Sequence, residues 1–576
     1  MKEVVILLAI LLFYQPIYGE SDDQPLIPYP AEEIQVHLTQ TILFPGEVLG
    51  FKIYCTNPLF SELELSRIAF IELVSDRNTS VLRKKILLEH GAGDGEFLLP
   101  ENVNSGMYTV LAYTNWLKNF GEKAFHRQNI LIINPEHDAS HVRDTSVNQQ
   151  TSPSAPGTED DIHTGIQLIP DKHQYATREQ VTLKIKLVQS EGEKPGGDFS
   201  VSVNLTEPAL KTVQYEGPQR KPEIQAEDIV YLPDFRGIRL TGKLEDAYGA
   251  LQGAEIILSE PGPGTNIKST STDSEGTFHF LLEPQEGEKD IVFTLPENNV
   301  IIKLEEPFWN GFRNLPVQQE LSLDDGLVDY LENKFYNLQL QHKFSQSSFS
   351  EIVPVDSVLE DNERFYFHTP RNINIDDYVL LDSLAEYFYE LIPSVKLISN
   401  RGKYDIKVTD RVTSTYFKET PGVFIDGVFY TDYNQIAHIP VRDMAQISIL
   451  PEVYYYHDFS FGGIIDLHTK KSDFSAVQLL PKMTRLVFPL ASKSAMEFNA
   501  VDHSQTDTLK RIPDLRYLIC WEPDFTVGSE GENTVQFYTG DITGEFTVKV
   551  TGILPDGKII HDETKIFVGK EFYSEL

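Results

Sequence analysis

Four side chains of metal-ligating type, Glu136, His137, Asp138 and His141, lie close together in the sequence. They fall within 135–163, a polar stretch rich in Ser, Thr, Pro and Asp that shows no apolar periodicity. Such a composition predicts a flexible linker, and ligands on a flexible tether must be ordered at a cost in binding free energy. We therefore expect no metal site there.

Catalysis by side chains needs a nucleophile or a metal, together with a base, converging in a pocket. The sequence has no His-Glu-x-x-His zinc motif, no Gly-x-Ser-x-Gly elbow and no Gly-x-x-x-x-Gly-Lys-Ser/Thr phosphate loop. Its 15 histidines are scattered, and His457 and His468 are expected on strand surfaces. We predict no catalytic residue, no cofactor and no metal, so the sequence favours a non-enzymatic protein.

The segment Gly-Val-Phe-Ile-Asp-Gly-Val, ending at residue 428, is the most informative motif in the chain. Ile425 leads into the pair Asp426-Gly427, which predicts a type I′ hairpin whose carboxylate bonds the backbone. Further on, Gly462 and Gly463 open a Gly-Gly-Ile-Ile-Asp-Leu-His-Thr strand and are predicted to allow close approach of another strand. All five residues are thus expected to have structural roles.

The elements around that motif predict a small α/β unit over 370–474. An amphipathic helix is expected over 378–392, ended by Pro393, and is followed by strands near 395 and 404. This order, with the Ile-Asp-Gly strand and the glycine-rich return strand, resembles the plug domain of TonB-dependent outer-membrane receptors. A receptor barrel of about 22 strands needs roughly 10 residues per strand, so we expect no barrel in the remaining sequence.

The other apolar segments alternate with period two between Gly- and Pro-rich turns, which is typical of β-sandwiches. Residues 31–134 resemble the macroglobulin-like domain of exported proteins, mostly from Bacteroidetes. The resemblance rests on FPGEVLGFKIY, GDGEFLLP, SGMYTVLAYTNWLKNFG and NILIINP. In the most specific block, TNWLKNFG, Trp116 and Phe120 are either core residues or exposed partner contacts, since tryptophan is enriched in binding hot spots.

Two further macroglobulin-like sandwiches are predicted, at 166–210 and at 480–570. Between them, 236–303 resembles the carboxypeptidase regulatory-like domain, a module without peptidase chemistry, through RLTGKLEDAYG, LQGAEIIL and STDSEGTFHF. Residues 304–369 are expected to be a connector. The fold class is therefore mainly β, with serial Ig-like or macroglobulin-like sandwiches and one small α/β plug-like domain.

The two cysteines, Cys55 and Cys520, lie in apolar strand-like runs and are expected to be buried thiols rather than a disulfide. Macroglobulins that trap proteases use an internal thioester, which requires Cys-x-Glu-Gln. Here the second cysteine begins Cys-Trp-Glu-Pro, which lacks the glutamine acceptor. The resemblance therefore does not imply a thioester.

Residues 1–19 have the charged start, short apolar core and small terminal residue of a secretory signal peptide, and no later segment is apolar enough to span a bilayer. The formal net charge of −37 argues against nucleic-acid binding. We expect an exported protein, with three locations open: the periplasm, the outer membrane or the cell surface. Its plug-like module is expected to dock an outer-membrane protein partner; the alternative is an adhesin-like or structural envelope protein with that module as a spacer.

Overall fold

A computed structural model describes most of the chain. The described residues are 31–57, 65–136, 165–188, 196–210, 224, 229–311, 325–344, 348–352, 364–368, 370–381, 383–410, 413–457, 459–492, 494–504 and 512–569. Within them the structure is mainly β, as the sequence predicts, with few helices. The predicted signal peptide (1–19) and the linker 135–163, apart from its first two residues, lie outside the described residues.

The first sandwich packs a three-stranded sheet, β1-β3-β6, against a five-stranded sheet, β2-β8-β7-β4-β5. Strand β3 is buried along its whole length because one side faces this core while Lys52 and Tyr54 face the next sandwich. The strands are β1 (Glu33–Leu38), β2 (Ile42–Leu43), β3 (Val48–Thr56), β4 (Ile68–Ser75), β5 (Ser80–Leu87), β6 (Ala92–Leu98), β7 (Gly106–Thr114) and β8 (His126–Ile132).

The second sandwich is discontinuous in sequence. Its sheets, β31-β11-β9 and β10-β33-β32-β12-β30, combine segments that we predicted as two separate sandwiches, 166–210 and 480–570. That prediction is wrong because β12 pairs on both sides with late strands, and alternation along a strand does not reveal which distant partner covers it. The strands are β9 (Ile166–Pro170), β10 (Gln174–Tyr175), β11 (Gln180–Leu187), β12 (Gly197–Leu205), β30 (Leu518–Val527), β31 (Glu532–Tyr538), β32 (Gly544–Ile553) and β33 (Ile559–Val568).

The third sandwich consists of β14-β13-β17, with β19 also paired to β13, facing β16-β15-β18-β28. Its last strand, β28, comes from the segment that we assigned to the final sandwich, so the predicted boundary at 303 leaves it out. The strands are β13 (Ile238–Asp246), β14 (Gly249–Ala250), β15 (Glu255–Ser259), β16 (Ile267–Ser271), β17 (Thr277–Leu282), β18 (Glu288–Thr294), β19 (Ile301–Leu304) and β28 (Met483–Pro489).

The α/β module has a five-stranded sheet, β21-β26-β27-β24-β25, in which β24 and β27 run parallel. One face of this sheet packs on two helices and the hairpin β22-β23, and the other faces the third sandwich. The elements are β21 (Arg371–Asn374), α2 (Leu384–Leu391), β22 (Val395–Asn400), β23 (Lys403–Val408), β24 (Gly422–Ile425), β25 (Val428–Phe429), α3 (Tyr433–Ala437), β26 (Met444–Tyr456) and β27 (Phe459–Thr469).

These units are nested. The α/β module is inserted between β19 and β28 of the third sandwich, which is itself inserted between β12 and β30 of the second. Each inner unit is therefore joined to the surrounding unit by two chain connections. The predicted connector 304–369 contains α1 (Asp325–Lys343), whose buried residues pack on the first sandwich, and β20 (Phe349–Glu351), which pairs with β29 (Met496–Phe498).

Candidate functional site

The Asp-Gly hairpin forms the tip of the α/β sheet. Ile425 pairs with Val428, so Asp426 and Gly427 are the two central turn residues. Their φ angles are 45° and 81°, the positive pair that a type I′ turn requires. Ile425 is fully buried in the module core.

The Asp426 side chain is fully buried and accepts three hydrogen bonds. Oδ1 accepts from the backbone N–H of Thr469 at 2.7 Å, and Oδ2 accepts from the Thr469 hydroxyl at 2.7 Å and from the N–H of Phe474 at 3.0 Å. Burial raises the pKa of Asp426, while the hydrogen bonds from Thr469 and Phe474 lower it. The carboxyl group thus ties the hairpin to the end of β27, a structural role.

Gly427 brings the hairpin against the third sandwich. A Cβ at this position would lie 2.5 Å from the carbonyl oxygen of Glu260 and 2.7 Å from that of Gly264. The backbone N–H of Gly262 also donates to the Asp426 carbonyl at 3.0 Å. The turn therefore needs glycine both for its φ and for this close approach between the two units.

Gly462 and Gly463 lie where β27 meets neighbouring chain segments. A Cβ on Gly462 would stand 2.3 Å from the carbonyl oxygen of Glu419, and one on Gly463 would stand 2.7 Å from a methyl group of Val408. Both positions therefore serve close packing.

A buried polar centre lies between the sheet and the third sandwich. Asp466 is fully buried, and its Oδ2 accepts hydrogen bonds from the hydroxyl groups of Thr265 and Tyr366, the latter at 2.9 Å. The Nε2 of His468 lies 3.3 Å from the same oxygen. His468 is only 7% exposed, so the prediction that it lies on a strand surface is wrong: the third sandwich covers that face.

This centre joins two units of the fold. Thr265 belongs to the third sandwich, while Asp466 and His468 lie two residues apart on β27 of the module. Burial raises the pKa of Tyr366 above its usual range. Polar residues with period two on a strand normally indicate a solvent-facing side, so the local pattern does not reveal that the third sandwich covers Asp466 and His468.

The module also carries a run of five exposed residues, 376–380, which we call the outer strip. Val379 is 84% exposed, Leu380 59% and Tyr378 45%. The sequence predicts helix here, but α2 begins later because Ser383 caps it, its hydroxyl accepting the N–H of Glu386. The Ser-x-x-Glu signature of a capping box was the missed signal.

The outer strip is held in place although its side chains face solvent. Ile373 and Ile375, just before it, are buried in the module core, and the Tyr387 hydroxyl donates to the Val379 carbonyl at 3.2 Å. Tyr389 of α2 adds an aromatic ring that is 71% exposed. Exposed carboxylates also belong to this part of the module, at Asp376, Asp377, Glu386 and Glu390.

Trp116 and Phe120 are buried, at 5% and 7% exposure, and their rings meet edge to face at 5.8 Å. Of the two alternatives that the sequence leaves open, the structure supports the core role and contradicts the exposed partner contact, because the loop folds these aromatic side chains into the first core. Cys55 and Cys520 are both buried free thiols, and burial raises the pKa of each.

Among the described residues, no three His, Cys, Asp or Glu side chains converge to hold a metal ion. Of the metal-ligating cluster near residue 136, only Glu136 itself is described, and it is exposed. His457 is also exposed, at positive φ between β26 and β27. No helix in the described ranges combines the length and the apolar character needed to cross a membrane.

No protein-family model matches the chain, and no curated protein matches it. Similar solved structures include Salmonella α2-macroglobulin reacted with methylamine, which is 9% identical to this chain and has a TM-score of 0.24. The match covers 97% of this chain and 41% of the macroglobulin chain. Native Escherichia coli α2-macroglobulin is 10% identical, with a TM-score of 0.24 and coverages of 95% and 40%. Dimeric latent PorU from Porphyromonas gingivalis is 9% identical, with a TM-score of 0.13 and coverages of 94% and 34%.

This chain therefore spans about two fifths of the macroglobulin chains to which it is similar. At these TM-scores the similarity carries no inference about activity. The mainly-β class of the chain is given by its own strands.

Proposed function

We propose that this chain is a non-enzymatic, exported docking protein whose α/β module binds an outer-membrane protein through the outer strip. The observation that carries the proposal is the outer strip itself: Tyr378, Val379 and Leu380 are consecutive, exposed and anchored from below. Exposed apolar groups held in one conformation lose little entropy on binding, which favours a protein interface. Export is supported by the signal-peptide composition of residues 1–19.

The charges around the outer strip define the partner. Asp376 and Asp377 are part of the strip, and Glu386 and Glu390 extend the negative charge along α2. Lys470 pairs with one of them, Asp376, at 3.2 Å. A complementary partner surface carries apolar groups surrounded by Lys or Arg, since opposite potentials steer encounter and fix orientation.

The nested fold supports this role by limiting how the module moves. Two chain connections join the module to the third sandwich, and the hairpin tip and the buried polar centre hold the inner face against it. The outer strip would thus be a binding face on a module that is fixed to the third sandwich.

The test compares two variants of the full chain expressed in its own cells. Val379→Asp with Leu380→Asp places two charges in the outer strip at side chains that are 84% and 59% exposed. Tyr248→Asp is the matched control, since Tyr248 is 99% exposed on the third sandwich. We expect cross-linked pull-downs from outer membranes to recover a membrane protein with the native and control chains, and at least tenfold less with the strip variant. Equal recovery with all three chains, or no membrane protein with any, contradicts the proposal.

A further inference from the structure

The loop that follows β7 holds an extended segment of the same chain. The Oδ1 atom of Asn119 accepts the backbone N–H groups of Val230 at 2.9 Å and Tyr231 at 2.8 Å, and its Nδ2 donates to the Tyr231 carbonyl at 2.6 Å. The Nδ2 of Asn115 donates to the carbonyl of Leu232 at 3.0 Å. We call Asn115, Asn119 and the intervening Lys118 the peptide clamp.

These hydrogen bonds contact only main-chain atoms of the held segment. A side-chain amide offers one acceptor and two donors, so it can pair with a peptide group as a neighbouring strand does. Such contacts fix an extended backbone but do not select its sequence. Selection must therefore come from the few side chains of the segment that point into the first sandwich.

Two side chains of the segment, those of Tyr231 and Asp234, lie against the first sandwich. The Lys118 ammonium group lies 4.5 Å from the centroid of the Phe70 ring and 5.3 Å from that of Tyr231, so the held tyrosine completes an aromatic surround for a buried cation. Three residues later, Asp234 is 5% exposed and is attracted by the charges of Lys118 and Arg239. Its Oδ1 accepts no hydrogen bond from the described residues.

Most other side chains of the segment face solvent, and Tyr231 is itself 36% exposed. Val230 is 74% exposed, Leu232 55% and Phe235 44%, and the hydrogen bonds from the clamp lie at the surface. A segment with few buried apolar contacts and exposed hydrogen bonds opens at low cost in free energy. Besides the clamp, the Asp234 carbonyl accepts the backbone N–H of Arg67 and the Leu232 carbonyl accepts from the Arg239 side chain, both at 3.3 Å. The clamp is therefore filled by a segment that is held mainly through long or exposed hydrogen bonds.

We infer that the peptide clamp is a binding site for an extended peptide carrying an aromatic residue three positions before a carboxylate, and that residues 230–234 fill it in cis. A partner protein with such a segment displaces them. Because the resident segment is tethered, it competes at an effective concentration that can reach the millimolar range. The native chain is thus expected to bind a free peptide weakly. This site lies on the first sandwich and is independent of the outer strip.

The experiment uses the full chain and a fluorescent peptide with the sequence of residues 229–236. A variant with Tyr231→Gly and Asp234→Gly, the emptied variant, lacks both anchoring side chains, so its resident segment leaves the clamp more readily. We expect it to bind the peptide at least tenfold more tightly than the native chain in fluorescence anisotropy. Adding Asn115→Ala and Asn119→Ala should remove that binding, and a peptide with serine in place of its Tyr and Asp should bind at least tenfold more weakly.

A second measurement needs no substitution. Hydrogen exchange of the native chain with millimolar peptide should accelerate at the amides of Val230 and Tyr231, which Asn119 holds in the free protein. Unchanged exchange at these amides overturns the inference. So does equal peptide binding by the emptied variant with and without its clamp asparagines.

Discussion

Two contacts between folding units each bury a histidine, and they are built differently. Between the first and second sandwiches, His37 has both ring nitrogens occupied: Nδ1 lies 2.6 Å from the hydroxyl of Ser200 and Nε2 lies 2.8 Å from that of Ser202. Between the α/β module and the third sandwich, His468 stands beside the buried carboxyl group of Asp466.

The first contact holds its histidine between two serine hydroxyl groups, next to the ion pair between Lys52 and Asp524, while the second is organised around a carboxyl group. Burial lowers the pKa of His37 to about 3, so this imidazole stays neutral in the folded protein at ordinary pH. At the second contact, hydroxyl groups from two separate chain segments converge on Asp466. Acid should thus weaken the first contact through His37, whereas steric or hydrogen-bonding changes should open the second.

The largest effect is expected from Gly427→Ala at the second contact. The new Cβ meets the carbonyl of Glu260 at 2.5 Å, and the residue must keep a φ of 81°. Overpacking and a left-handed alanine together cost about 4 kcal/mol. Gly402→Ala is the control, since Gly402 has a φ of 78° but nothing within 4 Å of its Cβ. Limited proteolysis and thermal unfolding should show a much greater loss of stability for Gly427→Ala than for Gly402→Ala. Equal losses would contradict a close contact at this turn.

A smaller but clear loss is expected for Asp426→Ala. It leaves two backbone N–H groups and one hydroxyl group without their acceptor in a dry site, which costs about 3 kcal/mol. Asp273→Ala is the matched variant, because Asp273 also accepts two backbone N–H groups but is exposed, so water replaces it. Denaturant unfolding should show a much larger decrease in unfolding free energy for Asp426→Ala than for Asp273→Ala. Similar decreases would show that burial is not what makes Asp426 important.

The first contact can be tested by pH. Because the pKa of His37 is lowered from 6.5 to about 3 on folding, its unfolded form binds the proton first. The contribution of neutral His37 to the free energy of unfolding is therefore fully present above pH 6.5. It falls as the pH decreases toward 3, by about 2 kcal/mol between pH 7 and pH 5. Burial also lowers the pKa of His126 and raises those of Glu32 and Asp234.

His37→Gln isolates the effect from those other groups, since glutamine can still meet both serine hydroxyls but does not titrate. From pH 7 to pH 5, the native chain should lose about 2 kcal/mol of unfolding free energy relative to the variant. A difference that stays constant over this range would mean that His37 is not held neutral.

The smallest effect is expected for Tyr366→Phe, which removes one donor from Asp466 and leaves the ring in place. The cost should be about 1 kcal/mol. Tyr430→Phe is the control within the module, since the Tyr430 hydroxyl donates to the Gln478 carbonyl away from the third sandwich. Only Tyr366→Phe should increase proteolytic cleavage between module and sandwich, and equal cleavage would contradict a joining role for the polar centre.

Local signals in the sequence predict the hairpin well, because Asp426 and Gly427 carry both the turn type and its dihedral angles in two adjacent residues. The composite second sandwich is not predictable in this way. Its central pair β12-β30 joins strands more than 300 residues apart, and each half alternates as a separate sandwich would. The polar centre cannot be predicted from local sequence for the same reason, since Thr265 and Tyr366 lie 201 and 100 residues from Asp466 along the chain.

The most direct test of the docking role is photo-cross-linking from single positions in living cells. A photoreactive amino acid is placed at Val379 in the outer strip, and at Tyr248 on the third sandwich as the control, in otherwise native chains. We predict one abundant adduct with an outer-membrane protein from Val379 and none from Tyr248. No adduct from Val379, or the same set of adducts from both positions, would contradict the docking role.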